Sequence, residues 1–196
     1  MRAPVHVVYA HPSERSFTRE VLDAFLGGLV DSGRPYTVSD LYAMDFRSEL
    51  TPAEYARESG ADVEAPVPED VAAEQAALAA ADTWVFVYPV WWADCPARLK
   101  GWFDRVWTVG FARATVGPRT VAEKALVLCT AGYDIAELQA SGCYGAMRTV
   151  MLTDRIGERA TASEFVLLGG SAGSGGEWPA LKAEHLARAA ELGRSL

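Results

Sequence analysis

Residues 83–96, TWVFVYPVWWADCP, decide how this chain folds. The first six, TWVFVY, are apolar at nearly every position, the pattern of a central strand covered on both faces. Pro89 follows, then two adjacent tryptophans, Trp91 and Trp92, which cannot both face a core. Pro96 opens a helix in which Leu99, Trp102, Phe103 and Val106 share one face, while Lys100 and Asp104 pair at i, i+4 on the other. A buried strand, an aromatic loop and an amphipathic helix in that order make one unit of a parallel sheet.

The same alternation extends in both directions. Short apolar runs at 5–10 (VHVVYA), 36–41, 125–131 (ALVLCTA) and 164–168 read as further strands. Phe17, Val21, Phe25 and Leu29 carry a helical period, with Ser16 as N-cap and Gly33 as stop. A short helix follows Thr51, another opens at Pro68 with Val71, Ala72, Leu78 and Ala79 inward, and a last one spans 178–192. Five strands with four or five helices predict a single α/β domain over 1–196. Its architecture is a doubly wound five-stranded parallel sheet with helices on both faces. Residues 169–176, GGSAGSGG, read as a flexible surface connection.

The chain has 196 residues, half of them hydrophobic, and a formal net charge of −8. That balance argues against nucleic acid as a partner, since phosphate binding needs a cationic footprint. It leaves small anionic cofactors open, because backbone N–H groups can hold them in an acidic protein. The cysteines, Cys95, Cys129 and Cys143, are widely spaced, with no CxxC pair and no histidine cluster, so no metal site is expected. Free thiols, no cationic and apolar leader and no run approaching ~20 apolar residues predict a cytoplasmic protein without membrane insertion.

In such sheets ligands bind outside the carboxyl ends of the strands. Three segments there stand out. Residues 9–17 (YAHPSERSF) set a histidine and hydroxyls beside a helix N-terminus, suited to a phosphate; His11 could equally be a turn histidine. They contain neither GxGxxG nor GxxxxGK[ST]. Residues 89–96 offer an aromatic platform for a flat conjugated ring, or a hydrophobic cover, or a dimer contact. Residues 128–133 (LCTAGY) let backbone N–H groups approach a ligand edge, or form a simple turn. Consecutive strand ends of one sheet bring all three to one crevice.

These segments also resemble a known family. AHPSERSF (10–17), VSDLYAMDF (38–46) and YPVWWADCPARLKGWFDRVWTVGFA (88–112) are similar to motifs of the NAD(P)H:quinone reductase (DT-diaphorase) family, over about residues 5–150. The resemblance implies a flavodoxin-like fold, a flavin (FAD or FMN, the match over 10–46 leaning to FAD), NAD(P)H as electron donor, a quinone-like acceptor, ping-pong hydride transfer and a homodimer. It assigns His11, Phe17 and Thr18 to the flavin phosphate and ribityl side. Pro89, Val90, Trp91, Trp92 and Ala93 fall on the isoalloxazine, and Thr130, Ala131, Gly132 and Tyr133 on its pyrimidine edge.

The chain departs from the family in places. Ala93 stands where an aromatic is usual. The family's catalytic tyrosine and histidine fall on Leu138 and Tyr144, so Tyr144 is the candidate for proton handling and substrate contact. Arg113-Ala114-Thr115 replaces a tyrosine-rich substrate loop, which puts Arg113 in the acceptor pocket. Trp102 and Trp107, with Trp91 and Trp92, read as dimer contacts or as core. Two other roles are compatible with the resemblance: a regulatory subunit of a potassium-efflux system, and a flavodoxin-type electron carrier, although HPSERSF is unlike the carrier's phosphate loop.

Overall fold

Strand β3 (Thr83–Pro89) runs through the middle of the computed structural model with all seven residues buried. The structure describes residues 3–113, 120–173 and 177–196. β1 (Val5–Tyr9) and β2 (Tyr36–Asp40) lie to one side of β3, β4 (Ala122–Thr130) and β5 (Ala160–Leu168) to the other. All pairs are parallel, in the order β2-β1-β3-β4-β5. The register aligns Val7 with Val38 and Val85, and Val85 with Leu126. This is the strand order of a flavodoxin-like doubly wound sheet.

Alternation along the strands divides the core in two. One face packs Val7, Tyr9, Val85, Val87 and Leu126 beneath α1 (Phe17–Asp31) and α7 (Trp178–Arg194). These two helices touch backbone to backbone at Gly28 and Gly193, where a Cβ would strike Ala190 and Phe25 main chain. The other face packs Val8, Trp84, Phe86 and Val127 against α3 (Glu69–Ala80) and α4 (Ala97–Val106). No helix among the described residues is long and apolar enough to cross a membrane.

Several expectations need correction. Of the two readings open for Trp102 and Trp107, dimer contact or core, the structure shows core: their rings pack on each other at 5.1 Å, and their indole N–H groups donate to Glu74 and to the Arg155 carbonyl. On α3 the inward residues are Val71, Glu74 and Leu78, while Ala72 and Ala79 face solvent. Glu74 can be buried because Ser39 Oγ and Trp102 Nε1 donate to its carboxylate at 2.7 and 2.8 Å. β4 and β5 begin earlier than their apolar runs, since parallel pairing continues through the polar residues Lys124 and Ser163. Residues 135–159 hold four helical pieces that the sequence reading left out: α5 (Ile135–Ala140), α6 (Cys143–Arg148), a π-helical stretch (Thr149–Ile156) and a 3₁₀ turn (Gly157–Arg159).

α2 (Pro52–Ser59), the helix after Thr51, belongs to an excursion between β2 and α3 and is fastened by one buried cation. Arg105 of α4 donates Nε to Glu54 at 2.7 Å, grips Asp70 with both Nη atoms at 2.5 and 2.9 Å, and reaches the Arg47 carbonyl at 2.9 Å. Burial pushes the Glu54 carboxyl upward in pKa. The Thr51 N–H and hydroxyl, Arg47 and Arg105 outweigh that and bring it down from 4.5 to about 2. A depressed carboxylate adds stability above its unfolded pKa, and this is lost as pH falls through the folded value. Stability should therefore drop between pH 4.5 and about 2, with Glu54 supplying on the order of 3 kcal/mol of the change. Urea midpoints taken against pH should show a flatter slope in this window for Glu54→Gln.

Candidate functional site

At the carboxyl ends of β1, β3 and β4 three loops are tied together by main chain. Ala10 N–H donates to Val87 O at 3.0 Å, Val90 N–H to Thr130 O at 2.7 Å, and Ala131 N–H to Leu168 O at 3.0 Å. The side chains add two links. Thr18 Oγ1 meets Thr130 Oγ1 at 2.8 Å, joining the start of α1 to the end of β4. The His11 ring stands edge-on to Trp91 with centroids 6.1 Å apart.

Residues 91–94 form a two-residue hairpin. Trp91 N–H donates to Asp94 O at 2.9 Å and Asp94 N–H to Trp91 O at 3.1 Å. Its central residues, Trp92 and Ala93, have φ of 53° and 57°. Both lie in the left-handed region, as a mirror-type turn demands, and such turns normally carry Asn or Gly there. An L side chain in that region costs about 1–2 kcal/mol. The turn holds Trp92 out into solvent, fully exposed, with Trp91 exposed beside it. Strain and exposed aromatics coincide at a strand end, where ligands bind.

Below the hairpin opens a cleft of about 590 Å³ lined by residues 90–93 and 131–133 and by Leu138 and Cys143. Seven of the sequence-predicted residues thus meet at one surface: Val90, Trp91, Trp92, Ala93, Ala131, Gly132 and Tyr133. A second cleft of about 500 Å³ shares Gly132 and Tyr133 and continues to Asp134, Glu137 and Gly170. The glycine-rich connection is no free tether in its described part. Gly170, Ser171 and Ala172 donate N–H groups to the carbonyls of Tyr133, Ala131 and Gly132 at 2.9, 3.1 and 3.2 Å. That corrects the expectation of a flexible linker for 169–173; residues 174–176 lie outside the described residues. Its glycines make room: a Cβ on Gly169 would stand 2.9 Å from the Tyr133 carbonyl.

The other predicted residues are placed differently. Pro89 is buried as the last residue of β3, level with Thr130. Phe17 packs against Trp178 at 4.9 Å and His185 at 5.9 Å, and Thr18 is buried with its hydroxyl on Thr130. What these two offer a ligand is backbone: they are the first residues of α1, whose N–H groups no helical turn satisfies. His11 Nδ1 accepts from Ser13 N–H at 2.9 Å, and burial holds its pKa below the usual histidine value. The imidazole is accordingly neutral near pH 7.

Arg113 and Tyr144 are not brought to the cleft of their own chain. Arg113 pairs with Glu58 at 2.8 Å and lines a separate cleft with Phe103, Trp107 and Arg155. Tyr144 rests edge-on against Phe165 at 5.9 Å, with the Arg148 guanidinium 6.0 Å above its ring. Ala114 and Thr115 lie outside the described residues. Leu138, which stands on the family's catalytic tyrosine position, does line the cleft, and Cys143 is lining that sequence reasoning missed. A local signal was the Asp134–Glu137 capping box that starts α5, the helix carrying Leu138.

A protein-family model described as the flavodoxin-like fold matches residues 3–155. The chain belongs to this flavodoxin-like family. Within the family its likeness to quinone reductases, expected from the motifs at 10–17 and 88–112, is borne out. An NAD(P)H:quinone oxidoreductase from Methanothermobacter marburgensis is 45% identical, with a TM-score of 0.93 over 100% of this chain and 97% of that one. NAD(P)H dehydrogenase [quinone] 1 of Rattus norvegicus is 34% identical over 163 residues, 74% of this chain and 59% of that protein. Ribosyldihydronicotinamide dehydrogenase [quinone] of Pongo abelii is 36% identical over 121 residues, 55% of this chain and 52% of its own length. The chain thus spans about half the length of the curated relatives it matches.

A flat tricyclic flavin ring fits the cleft's make-up: an apolar and aromatic wall at 90–93, small residues at 131 and 132, and a backbone cradle closed by the glycines. The strained turn gives a test of this geometry. Ala93→Gly removes a Cβ from the left-handed position and should raise stability by about 0.5–1 kcal/mol, read from the urea midpoint at constant slope. Ala93→Val should lower it by about 1 kcal/mol or more, because a β-branched residue tolerates positive φ worst.

Proposed function

We propose that this protein is a flavin-dependent NAD(P)H oxidoreductase acting on quinone-like small acceptors. The observation that carries the reading is the 90–93 hairpin set over the 131–133 main chain across an apolar cleft, in a chain 45% identical over its whole length to an NAD(P)H:quinone oxidoreductase. Residues 89–93 would hold the face of the isoalloxazine, and Thr130, Ala131, Gly132 and Tyr133 would border its pyrimidine edge, the Ala131 N–H being already engaged by the Leu168 carbonyl. His11 and the open N–H groups of Phe17 and Thr18 would take the phosphate. When bound, the flavin supplies the capacity to take hydride from NAD(P)H and return it to an acceptor.

The chain's own contribution is shape, dryness and proton placement. Val90, Ala93, Leu138 and the tryptophans exclude water from the ring face, and Ala93 leaves space that a bulkier residue would fill. Leu138 offers no proton. In this reading Tyr144 handles the proton, and since it rests on Phe165 outside the cleft of its own chain it would do so only across the contact of a homodimer. Arg113 reaches an acceptor only across the contact of a homodimer, which the family resemblance implies and the exposed Trp92 supports. One apolar cleft serves donor and acceptor in turn, so ping-pong kinetics follow. The cytoplasm is the assigned compartment.

The purified protein should show flavin absorption bands. The mass of the released cofactor distinguishes FAD, favoured by the match over 10–46, from FMN. Steady-state oxidation of NADH and NADPH at varied quinone should give parallel double-reciprocal lines; intersecting lines overturn the alternating use of one cleft. A colourless protein that neither FMN nor FAD reconstitutes overturns the whole reading.

A further inference from the structure

The two tryptophans project on a turn that is strained in the middle and joined to the body by its fourth residue. Asp94 Oδ1 accepts the Cys95 N–H at 2.7 Å. Both carboxylate oxygens also accept from the Arg155 guanidinium, at 2.7 Å from Nη1 and 3.1 Å from Nη2. Arg155 lies 61 positions away in sequence, on the π-helical stretch Thr149–Ile156. Its side chain is 6% exposed and that of Asp94 46%. The fork is itself held: the guanidinium carbon stands 5.4 Å from the centre of the Phe103 ring. Nη1 lies 3.2 Å from Cys95 Sγ and 3.3 Å from Met151 Sδ. The Arg155 carbonyl accepts from the Trp107 indole at 2.5 Å, which anchors the backbone behind it.

We infer that Arg155 is a positioning residue for the ring platform: through its two-pronged grip on Asp94 it fixes the left-handed hairpin that presents Trp91 and Trp92 to the cleft. The turn's two main-chain bonds close the hairpin without orienting it. Trp91 adds a ring contact to His11, which is itself half-exposed. The charge-assisted fork supplies direction as well as attraction, since two parallel N–H···O contacts fix a carboxylate in plane and in rotation. Lysine, with a point charge, cannot reproduce the second contact. π-helical turns inside longer helices recur at functional sites, and here that stretch carries the guanidinium. For its ligand-facing consequence the inference rests on the flavin reading above; for the hairpin it stands alone.

The test uses Asp94→Asn, whose altered side chain is partly in solvent and leaves the Cys95 N–H an acceptor, and Arg155→Lys, which keeps the charge. Amide hydrogen exchange of the full chain is read at Trp91 and Asp94, against Leu126 and Val127 of β4 as a gauge of global opening. Each variant should speed exchange at Trp91 and Asp94 by about tenfold or more while β4 stays within about twofold of the parent. The double variant should go no further than either single one. Titration of the apoprotein with FMN and with FAD should show the dissociation constant rising about tenfold in both variants. Unchanged exchange at Trp91 and Asp94 overturns the inference whether or not flavin binds. So does equal acceleration at β4, which would make the pair a general stabiliser. Lost protection with an unchanged flavin constant overturns the link to the ligand. A parent that binds neither flavin defeats the functional reading, and the exchange result then judges the hairpin by itself.

Discussion

Everything at the cleft depends on β3 being hydrogen-bonded on both edges and covered on both faces. A strand so placed has no free side along its length, so its chemistry can appear only where it ends. Pro89, level with Thr130 in the register, is the last paired residue, and the next N–H, of Val90, still reaches the Thr130 carbonyl. The sheet thereby delivers the ends of β1, β3 and β4 to one line, and the loops leaving them are forced into contact. The hairpin at 91–94 and the backbone cradle at 131–133 face each other for this reason.

Charged groups then fasten what hydrophobic packing alone would leave loose. Arg105 joins α2 and α3 to α4, Glu74 joins α3 to Ser39 and Trp102, and Arg155 joins the π-helical stretch to the hairpin. Taking ions out of water is costly, and such groups persist where each finds several well-directed partners. These three do. Each also connects segments far apart in sequence: residues 54 and 105, 39 and 74, 94 and 155. Their common effect is to fix the relative position of elements that apolar surfaces could pack in more than one way.

Much of the fold could be read along the chain because local physics and final burial agree. Residues 84–88 are almost uniformly apolar and are buried throughout, and the α4 face of Leu99, Trp102, Phe103 and Val106 is buried as its period requires. Where the two disagree, reading failed. Glu74 turned inward because Trp102 and Ser39 were waiting for it. The helices between 135 and 159 are short and carry no long apolar period, so tertiary contacts with Phe165 and Trp107 hold them in shape. Of the site, the lining at 90–93 and 131–133 was legible, since strand ends are legible. Leu138 was marked only by the family resemblance, and Cys143 not at all, because its place depends on the course of those unpredicted helices.

The sequence by itself determined the order of strands and helices, the aromatic loop after the central strand, and the family. These follow from hydrophobic period, from proline and glycine placement, and from motifs contiguous in the chain. Only the tertiary structure decided that Trp102 and Trp107 are core while Trp91 and Trp92 are surface. It alone moved Arg113 and Tyr144 away from the cleft of their own chain and set Arg155 against Asp94. Adjacent residues of one type look alike along the chain; what separates them is which neighbour, 28 residues away for Trp102 or 61 for Asp94, completes their polar contacts. The aromatic loop at 89–96 is therefore legible as a platform from sequence, while its aim is a property of the folded molecule.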